Sequence, residues 1–149
     1  MTARIVSPVA GKVVGLPGVP DPVFAEGMVG PGTAVDPDRG PGVAVAPISG
    51  VVQKLHPHAY VIVDAEGRGV LVHLGIDTVK LDGEGFQLLT EEGAHVAAGA
   101  EIVRWDAGAI EQGGRSPVVP VIALDAPADR VTVTGADYVH TADPLFTWE

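Results

Sequence analysis

The chain has 149 residues, 46% hydrophobic content, a formal net charge of −10 and no cysteine. This length suits one domain with a hydrophobic core, expected over residues 1–149, and the negative charge argues against nucleic-acid binding and against an anionic membrane surface. The missing cysteine excludes disulfides, thiol catalysis and cysteine-based zinc sites, and the lack of a long apolar run predicts a cytoplasmic location without a signal peptide or membrane span.

Short apolar runs rich in β-branched residues recur along the chain and are bounded by Gly, Pro and Asp. Helical periodicity is almost absent, so the pattern predicts an all-β fold with little helix, an antiparallel β-sandwich or barrel-sandwich hybrid. Two segments could form helical turns, "GFQLLTEEGA" at 85–94 and "AGAIEQGG" at 107–114. The predicted strands span residues 3–7, 11–16, 42–46, 51–55, 59–63, 69–74, 101–105, 117–122, 130–133 and 145–148.

An internal repeat supports this fold class. The segment "VSPVAGKVVGL" at 6–16 aligns with "VAPISGVVQKL" at 45–55, at an offset of 39 residues. Each copy has the pattern of a strand, a turn that begins at Pro, a Gly and a second strand. The match predicts an internal duplication.

A β-hairpin is predicted where "AYVIV" at 59–63 is followed by "DAEGRG" and then by "VLVH" at 70–73. His58 and His73 stand at its open end, in a chain with only five histidines. With Ala65 and Glu66 as the loop residues, the two histidines lie directly opposite each other, with Cβ atoms roughly 4.5–5.5 Å apart. A loop one residue longer would place them on opposite faces.

A pair of imidazoles at this spacing has several uses. It can ligate a metal, because neutral imidazole is a common ligand. It can also combine a nucleophile with a hydrogen-bond donor, one ring attacking phosphorus while the other donates N–H to the phosphoryl oxygens. The alternative without chemistry is that both histidines are partly buried polar residues of a sheet.

From "VHLGIDTV" at 72–79, the sequence resembles the glucose-family IIA domain of the bacterial phosphoenolpyruvate-dependent sugar phosphotransferase system. The likeness spans nearly the whole chain, and the joint order and spacing of its motifs are specific. The other matching segments are "PDPVFAEGMVGPGTAVDP" (20–37), "VAPISGVV" (45–52), "PHAYVI" (57–62), "KLDGEGF" (80–86), "EEGAHVAAGAEIVRWD" (91–106) and "SPVV" (116–119).

The resemblance implies a phosphocarrier in sugar uptake, with His73 as the phosphorylated residue and His58 as the second active-site histidine. The phosphoryl group would come from the carrier protein HPr and leave to a cysteine on the IIB domain of a membrane sugar permease of the glucose or N-acetylglucosamine class. The second nitrogen of His73 would keep its proton on a backbone carbonyl, expected near Gly75. The transfer needs no cofactor or metal, although His58 and His73 could act as zinc ligands together with a partner.

The resemblance also implies a docking surface for these partners. An exposed apolar patch ringed by carboxylates suits a transient interface with a basic partner. Unphosphorylated family members also dock onto permeases or metabolic enzymes, and a monomer is the expected state. The matching apolar residues are Val23, Phe24, Met28 and Val29, and the matching carboxylates are Asp21 and Asp77. The alternatives are core positions for Phe24 and Met28 and turn-forming roles for the two aspartates.

The remaining histidines match no active-site position. The enteric form of the family has a Thr shortly before its first histidine, whereas this chain has "KLHPH" at 54–58. His56 stands near the Thr position and is expected on a loop rim, and His95 and His140 are expected on the surface.

Two other function classes remain open at this point. The H-x-H pattern of His56 and His58 is typical of β-rich zinc peptidases of the lysostaphin type, but the H-x-x-x-D pair that such enzymes carry upstream is missing. The second alternative is a non-catalytic module that regulates other proteins by docking.

Overall fold

The computed structural model describes residues 2–149 and consists mainly of short antiparallel strands. Two short α-helices, α1 (Pro22–Ala25) and α2 (Ala107–Gln112), and three 3-10 turns at Leu16–Gly18, Thr78–Leu81 and Ala128–Arg130 interrupt them. The strands are β1 (Ala3–Val6), β2 (Gly11–Val13), β3 (Gly32–Pro37), β4 (Pro41–Val45), β5 (Gly50–His56), β6 (Ala59–Val63), β7 (Gly69–His73), β8 (Gln87–Leu88), β9 (His95–Val96), β10 (Glu101–Asp106), β11 (Val119–Ala123), β12 (Val131–Val133), β13 (Tyr138–Val139) and β14 (Pro144–Trp148).

The strands form one large sheet and two small ones. The large sheet has the order β13-β2-β3-β11-β7-β6-β5-β9, and the small sheets have the orders β1-β14-β12 and β4-β10-β8. The paired strands run antiparallel, which confirms the predicted fold class, and within residues 2–149 the strand orders are open rather than those of a closed barrel. No helix in this part of the chain has the length and apolar character needed to cross a bilayer.

Each predicted strand is present, with ends shifted by a few residues. The helical turn predicted at 107–114 is confirmed as α2, whereas the one predicted at 85–94 is wrong, because β8 lies there and pairs with β10. The largest omission is β3, an interior strand between β2 and β11. Its sequence "GTAVDP" begins with Gly and ends in Asp-Pro, residues that ordinarily indicate turns.

The predicted internal duplication has a counterpart in the backbone hydrogen bonds. Val6 N donates to Pro47 O at 2.9 Å, and Val45 N donates to Pro8 O at 3.0 Å. At the repeat offset of 39 residues, Val6 corresponds to Val45 and Pro8 to Pro47. The two copies therefore bind each other reciprocally, as two related halves would.

Both copies have a glycine at the same place, Gly11 and Gly50, and both positions require glycine for the same steric reason. A Cβ on Gly11 would lie 2.2 Å from Asp36 O, and a Cβ on Gly50 would lie 2.1 Å from Val63 O. Neither position leaves room for a side chain, because the backbone of the paired strand approaches the glycine closely. The repeat thus preserves this close approach of two strands as well as a turn.

The large sheet separates two apolar clusters. Along β3 and β11, Val35 and Val121 belong to the main core, whereas their neighbours Ala34 and Ile122 belong to a smaller cluster. Successive side chains of a strand point to opposite faces, so the smaller cluster covers the other face of the sheet. We call it the α1 cluster; its buried members are Leu16, Val19, Phe24, Ala34, Ile76 and Ile122.

Candidate active site

The β6–β7 hairpin has a register one residue away from the predicted one. Ala59, not His58, pairs with His73. Asp64 sets this loop: its backbone N donates to Arg68 O at 3.0 Å, and its Oδ1 accepts from Glu66 N and Arg68 N at 2.9 and 2.8 Å. The prediction that His58 lies directly opposite His73 is therefore wrong.

The two histidines nevertheless meet. Their ring centroids lie 5.3 Å apart with an interplanar angle of 71°. His56 pairs with Ala59, so Pro57 and His58 form the turn between β5 and β6. Because His58 lies in this turn, its side chain does not follow the alternation of side chains between the two faces of the sheet. A turn, rather than a cross-strand pair, brings the rings together.

A backbone carbonyl fixes the protonation of His73. Nδ1 of His73 lies 2.5 Å from Gly75 O, which confirms the expectation that the carbonyl comes from the Gly75 region. A carbonyl oxygen can only accept, so Nδ1 carries the proton and Nε2 of the neutral ring has the lone pair. Burial lowers the pKa of His73, opposed by the bond to Gly75 and by the carboxylates of Asp21 and Asp77. The ring is therefore neutral at neutral pH.

Buried contacts hold the turn that presents this carbonyl. Gly75 has a φ of +81°, and a Cβ there would lie 2.7 Å from Thr78 Cγ2 and 3.0 Å from Ser116 O. Thr78 is fully buried, and its hydroxyl donates to Leu74 O at 2.8 Å, while Ile76 N donates to Ser116 O at 2.9 Å. The sequence reasoning missed the supporting roles of Thr78 and Ser116, although both lie in motifs that carry the resemblance.

His58 is also held as a neutral imidazole. Burial lowers its pKa, followed by the charges of His73 and His56. His56 is exposed at the end of β5, but its ring stacks on His58 with centroids 5.7 Å apart and an interplanar angle of 24°. His56 is exposed, as the predicted rim position requires, but its contact with His58 was not predicted.

The two remaining histidines lie away from these contacts. His95 and His140 are exposed on β9 and after β13, which confirms their predicted surface positions.

The expected docking residues divide into exposed and buried ones. Val23 is 46% exposed and Met28 is 70% exposed, so a core position for Met28 is wrong. Val79, which sequence reasoning did not single out, is 55% exposed on the 3-10 turn after His73. Phe24 is only 9% exposed and Val29 packs partly buried against the α1 cluster. The expectation of an exposed Phe24 is therefore wrong.

The two aspartates lie at the starts of short helical segments next to His73. Asp21 precedes α1 and its side chain accepts from Val23 N at 2.9 Å. Asp77 is exposed, has a φ of 60° and precedes the 3-10 turn, and its carbonyl accepts from Arg115 Nε at 3.3 Å. Both carboxylates act on His73 electrostatically. Asp21 and Asp77 therefore each begin a turn and also lie close enough to His73 to act on its charge.

Comparison with known proteins agrees with this geometry. Residues 3–128 match the family model of the phosphoenolpyruvate-dependent sugar phosphotransferase system, EIIA 1. The chain belongs to this EIIA family. As an EIIA component it is a phosphocarrier of sugar uptake and transfers phosphoryl groups.

Individual relatives support the assignment. The glucose-specific EIIA component of Bacillus cereus is 40% identical over 126 residues, covering 83% of this chain and 75% of that protein. The N-acetylglucosamine-specific EIICBA component of Escherichia coli K12 is 42% identical over 123 residues, covering 80% of this chain and 18% of that longer protein. The structure of glucose permease IIA from Mycoplasma capricolum superposes with a TM-score of 0.90 at 29% identity, covering 99% of this chain and 96% of that one.

The zinc-peptidase alternative finds no support in this EIIA domain. Within residues 2–149 no three side chains of His, Cys, Asp or Glu are grouped so that they could hold a metal ion. His56, His58 and His73 contact one another as rings in series rather than converging on one point.

Proposed function

We propose that this EIIA domain accepts a phosphoryl group from phospho-HPr on His73 and passes it to a cysteine of the IIB domain of a sugar permease. The observation that carries the proposal is the hydrogen bond from His73 Nδ1 to Gly75 O, which leaves the lone pair on Nε2. The proposal treats residues 1–149 as one domain that acts as a monomer in the cytoplasm.

The proposed transfer exchanges one nitrogen–phosphorus bond for another. The lone pair of His73 Nε2 attacks phosphorus while the bond to the donor's imidazole nitrogen breaks. The proton on Nδ1 stays on its bond to Gly75 O. In the onward step, the IIB thiolate attacks phosphorus and the electron pair of the N–P bond returns to Nε2. Such transfers depend on alignment and charge neutralisation, which the fixed ring supplies.

His58 is proposed to stabilise the transferring group. Its ring touches that of His73 at a centroid distance of 5.3 Å, close enough for its N–H to reach a phosphoryl oxygen on Nε2. A fixed N–H donor beside developing negative charge lowers the barrier most when water is partly excluded. His58 is half-buried, so it meets this condition.

The proposed partner surface lies on segments that flank these rings, α1 with the residues after it and the 3-10 turn after β7. Val23, Met28 and Val79 supply exposed apolar area, and Asp21 and Asp77 supply negative charge. The chain's net charge of −10 favours a basic partner such as HPr. Phosphorylation would add about −1.5 to −2 charge next to the apolar side chains, which would weaken any regulatory docking onto permeases or enzymes.

The names of the relatives guide the choice of permease. The Escherichia coli relative is named an EIICBA component specific for N-acetylglucosamine, and the Bacillus cereus relative is named glucose-specific. We therefore propose a permease of the glucose or N-acetylglucosamine class, whose IIB domain receives the phosphoryl group.

A labelling experiment tests the proposal. Incubation with phosphoenolpyruvate, enzyme I and HPr should add one acid-labile, base-stable phosphate. His73→Ala should abolish the label, and His58→Gln should keep the label but block transfer to IIB. His140→Ala, an exposed histidine away from the site, should behave as wild type. Full labelling of His73→Ala would show that the assignment of the phosphorylated residue is wrong.

A further inference from the structure

Helix α1 and the residues that follow it have an outer and an inner side. Val23 and Met28 face solvent, whereas Phe24 between them is buried. The Phe24 ring packs on the His73 ring, with centroids 5.3 Å apart and an interplanar angle of 54°. One short segment thus supplies both exposed apolar surface and a buried wall of the site.

The Phe24 side chain is buried in an apolar cluster. It belongs to the α1 cluster, whose buried members also include Ile76 and Ile122. Ile76 directly follows Gly75, whose carbonyl holds Nδ1 of His73. The His73 imidazole is therefore held at Nδ1 by a hydrogen bond to Gly75 O, and its ring packs against Phe24. Phe24 and Ile76, the residue after Gly75, both belong to the α1 cluster. Reorientation of the imidazole would require Phe24 to move within close-packed surroundings.

We propose that Phe24 is a positioning residue, which holds the His73 imidazole so that Nε2 points to the incoming phosphorus. The inference rests on the proposed phosphorylation of His73. It adds a second role to the docking role that the resemblance implies: Met28 and Val23 supply contact surface for partners, while Phe24 orients the nucleophile.

A positioning role and a docking role predict effects on different kinetic constants. Loss of the Phe24 ring frees the nucleophile and should lower kcat for phosphorylation by phospho-HPr by about 10- to 100-fold, with KM little changed, because misplaced reacting atoms slow the chemical step. Loss of an exposed docking side chain should raise KM and leave kcat unchanged.

The test compares Phe24→Leu with Met28→Ala. Phe24→Leu should show the fall in kcat, and Met28→Ala the rise in KM. Phe24→Met, which keeps apolar volume without a ring, serves as a second variant with the same expected result. A rise in KM alone for Phe24→Leu, with kcat at the wild-type level, would overturn the inference.

Nitrogen NMR of the His73 ring tests the inference without any partner protein. The wild type should show a single Nδ1–H tautomer and one side-chain rotamer, and Phe24→Leu should show a mixture. A wild-type ring that already samples several rotamers would also overturn the inference, even if both variants failed to fold. If wild-type His73 accepted no phosphate, the proposed function would fail, and the NMR result would still decide the role of Phe24.

Discussion

The substitution Gly75→Ala tests whether the turn after β7 controls the chemistry of His73. Gly75 has a φ of +81°, and an alanine in this left-handed region costs about 1–2 kcal/mol. The new Cβ would also lie 2.7 Å from Thr78 Cγ2 and 3.0 Å from Ser116 O. Thr78 is fully buried and bonded to Leu74 O, so it cannot swing away. Such overpacking costs about 1–3 kcal/mol more.

The expected loss in the free energy of unfolding is therefore about 2–5 kcal/mol. Urea denaturation measures it, and the rate of phosphorylation from phospho-HPr measures the effect on His73, which should fall because the carbonyl that holds Nδ1 shifts. Gly67→Ala is the matched control: its φ is +82°, and among the described residues a Cβ there meets no atom within 4 Å. It should lose only about 1–2 kcal/mol.

A second-site change isolates the contact with Thr78. Thr78→Ser removes Cγ2 and keeps the hydroxyl that bonds Leu74 O. In the double variant the stability cost of Gly75→Ala should be smaller by about 1 kcal/mol than in the wild-type background. If Gly75→Ala lost no more stability than Gly67→Ala and His73 were phosphorylated at the wild-type rate, the reasoning from this turn would be refuted.

Three further predictions concern titration and burial. Burial lowers the pKa of His73, so the neutral nucleophile persists as pH falls; kcat/KM for phosphorylation should stay level down to about 6.5, the ordinary histidine pKa, and fall only below it. His56→Ala should raise the pKa of His58, because the charge of His56 contributes to lowering it, and an NMR titration would measure the change. Thr33→Val should raise the free energy of unfolding by about 1 kcal/mol in urea denaturation, because the buried Thr33 hydroxyl has no hydrogen-bond partner among the described residues.

Each of the three has its own control or contradicting outcome. A fall in kcat/KM that begins above pH 6.5 in proportion to His73 protonation would contradict the lowered pKa. His95→Ala should leave the His58 titration unchanged, and an equal change in both variants would contradict the role of the His56 stack. Thr78→Val should destabilise the protein by about 1 kcal/mol, because its hydroxyl is bonded to Leu74 O; a loss of the same size in Thr33→Val would mean that Thr33 has a partner.

Local pattern was sufficient for the strands that were predicted and for the pairing of β6 with β7, because each of these strands is an apolar run that packs against the core. It was insufficient for the register. The decisive feature is Asp64, whose side chain accepts two loop N–H groups and whose backbone bonds Arg68 O. Hydrophobic alternation contains no information about this loop, and a shift of one residue changes every cross-strand pair.

The position of Phe24 shows a different limit. "DPVFAEGM" at 21–28 has three large apolar side chains within six residues, and in sequence they are equivalent candidates for a docking surface. Which of them turns inward depends on where β3 and β11 present Ala34 and Ile122, about ten and a hundred residues away along the chain. β3 itself was missed because its ends carry turn residues, so the cluster that buries Phe24 could not be foreseen.

The site is assembled by two turns at the same end of the large sheet, and this explains why it survives a wrong register. His58 belongs to the turn between β5 and β6, and Gly75 belongs to the turn after β7. Within a strand, neighbouring side chains point to opposite faces of the sheet, so a shift of one residue would place two strand histidines on opposite faces. His58 lies in a turn and does not follow this alternation. The two imidazoles therefore meet although Ala59 is the partner of His73. The strands supply a rigid frame, while the two turns supply the carbonyl that fixes the tautomer of His73, the neighbouring imidazole of His58 and the carboxylate of Asp77. Changes in turn residues should therefore alter the chemistry more than equally conservative changes within β6 or β7, whose effect falls mainly on stability.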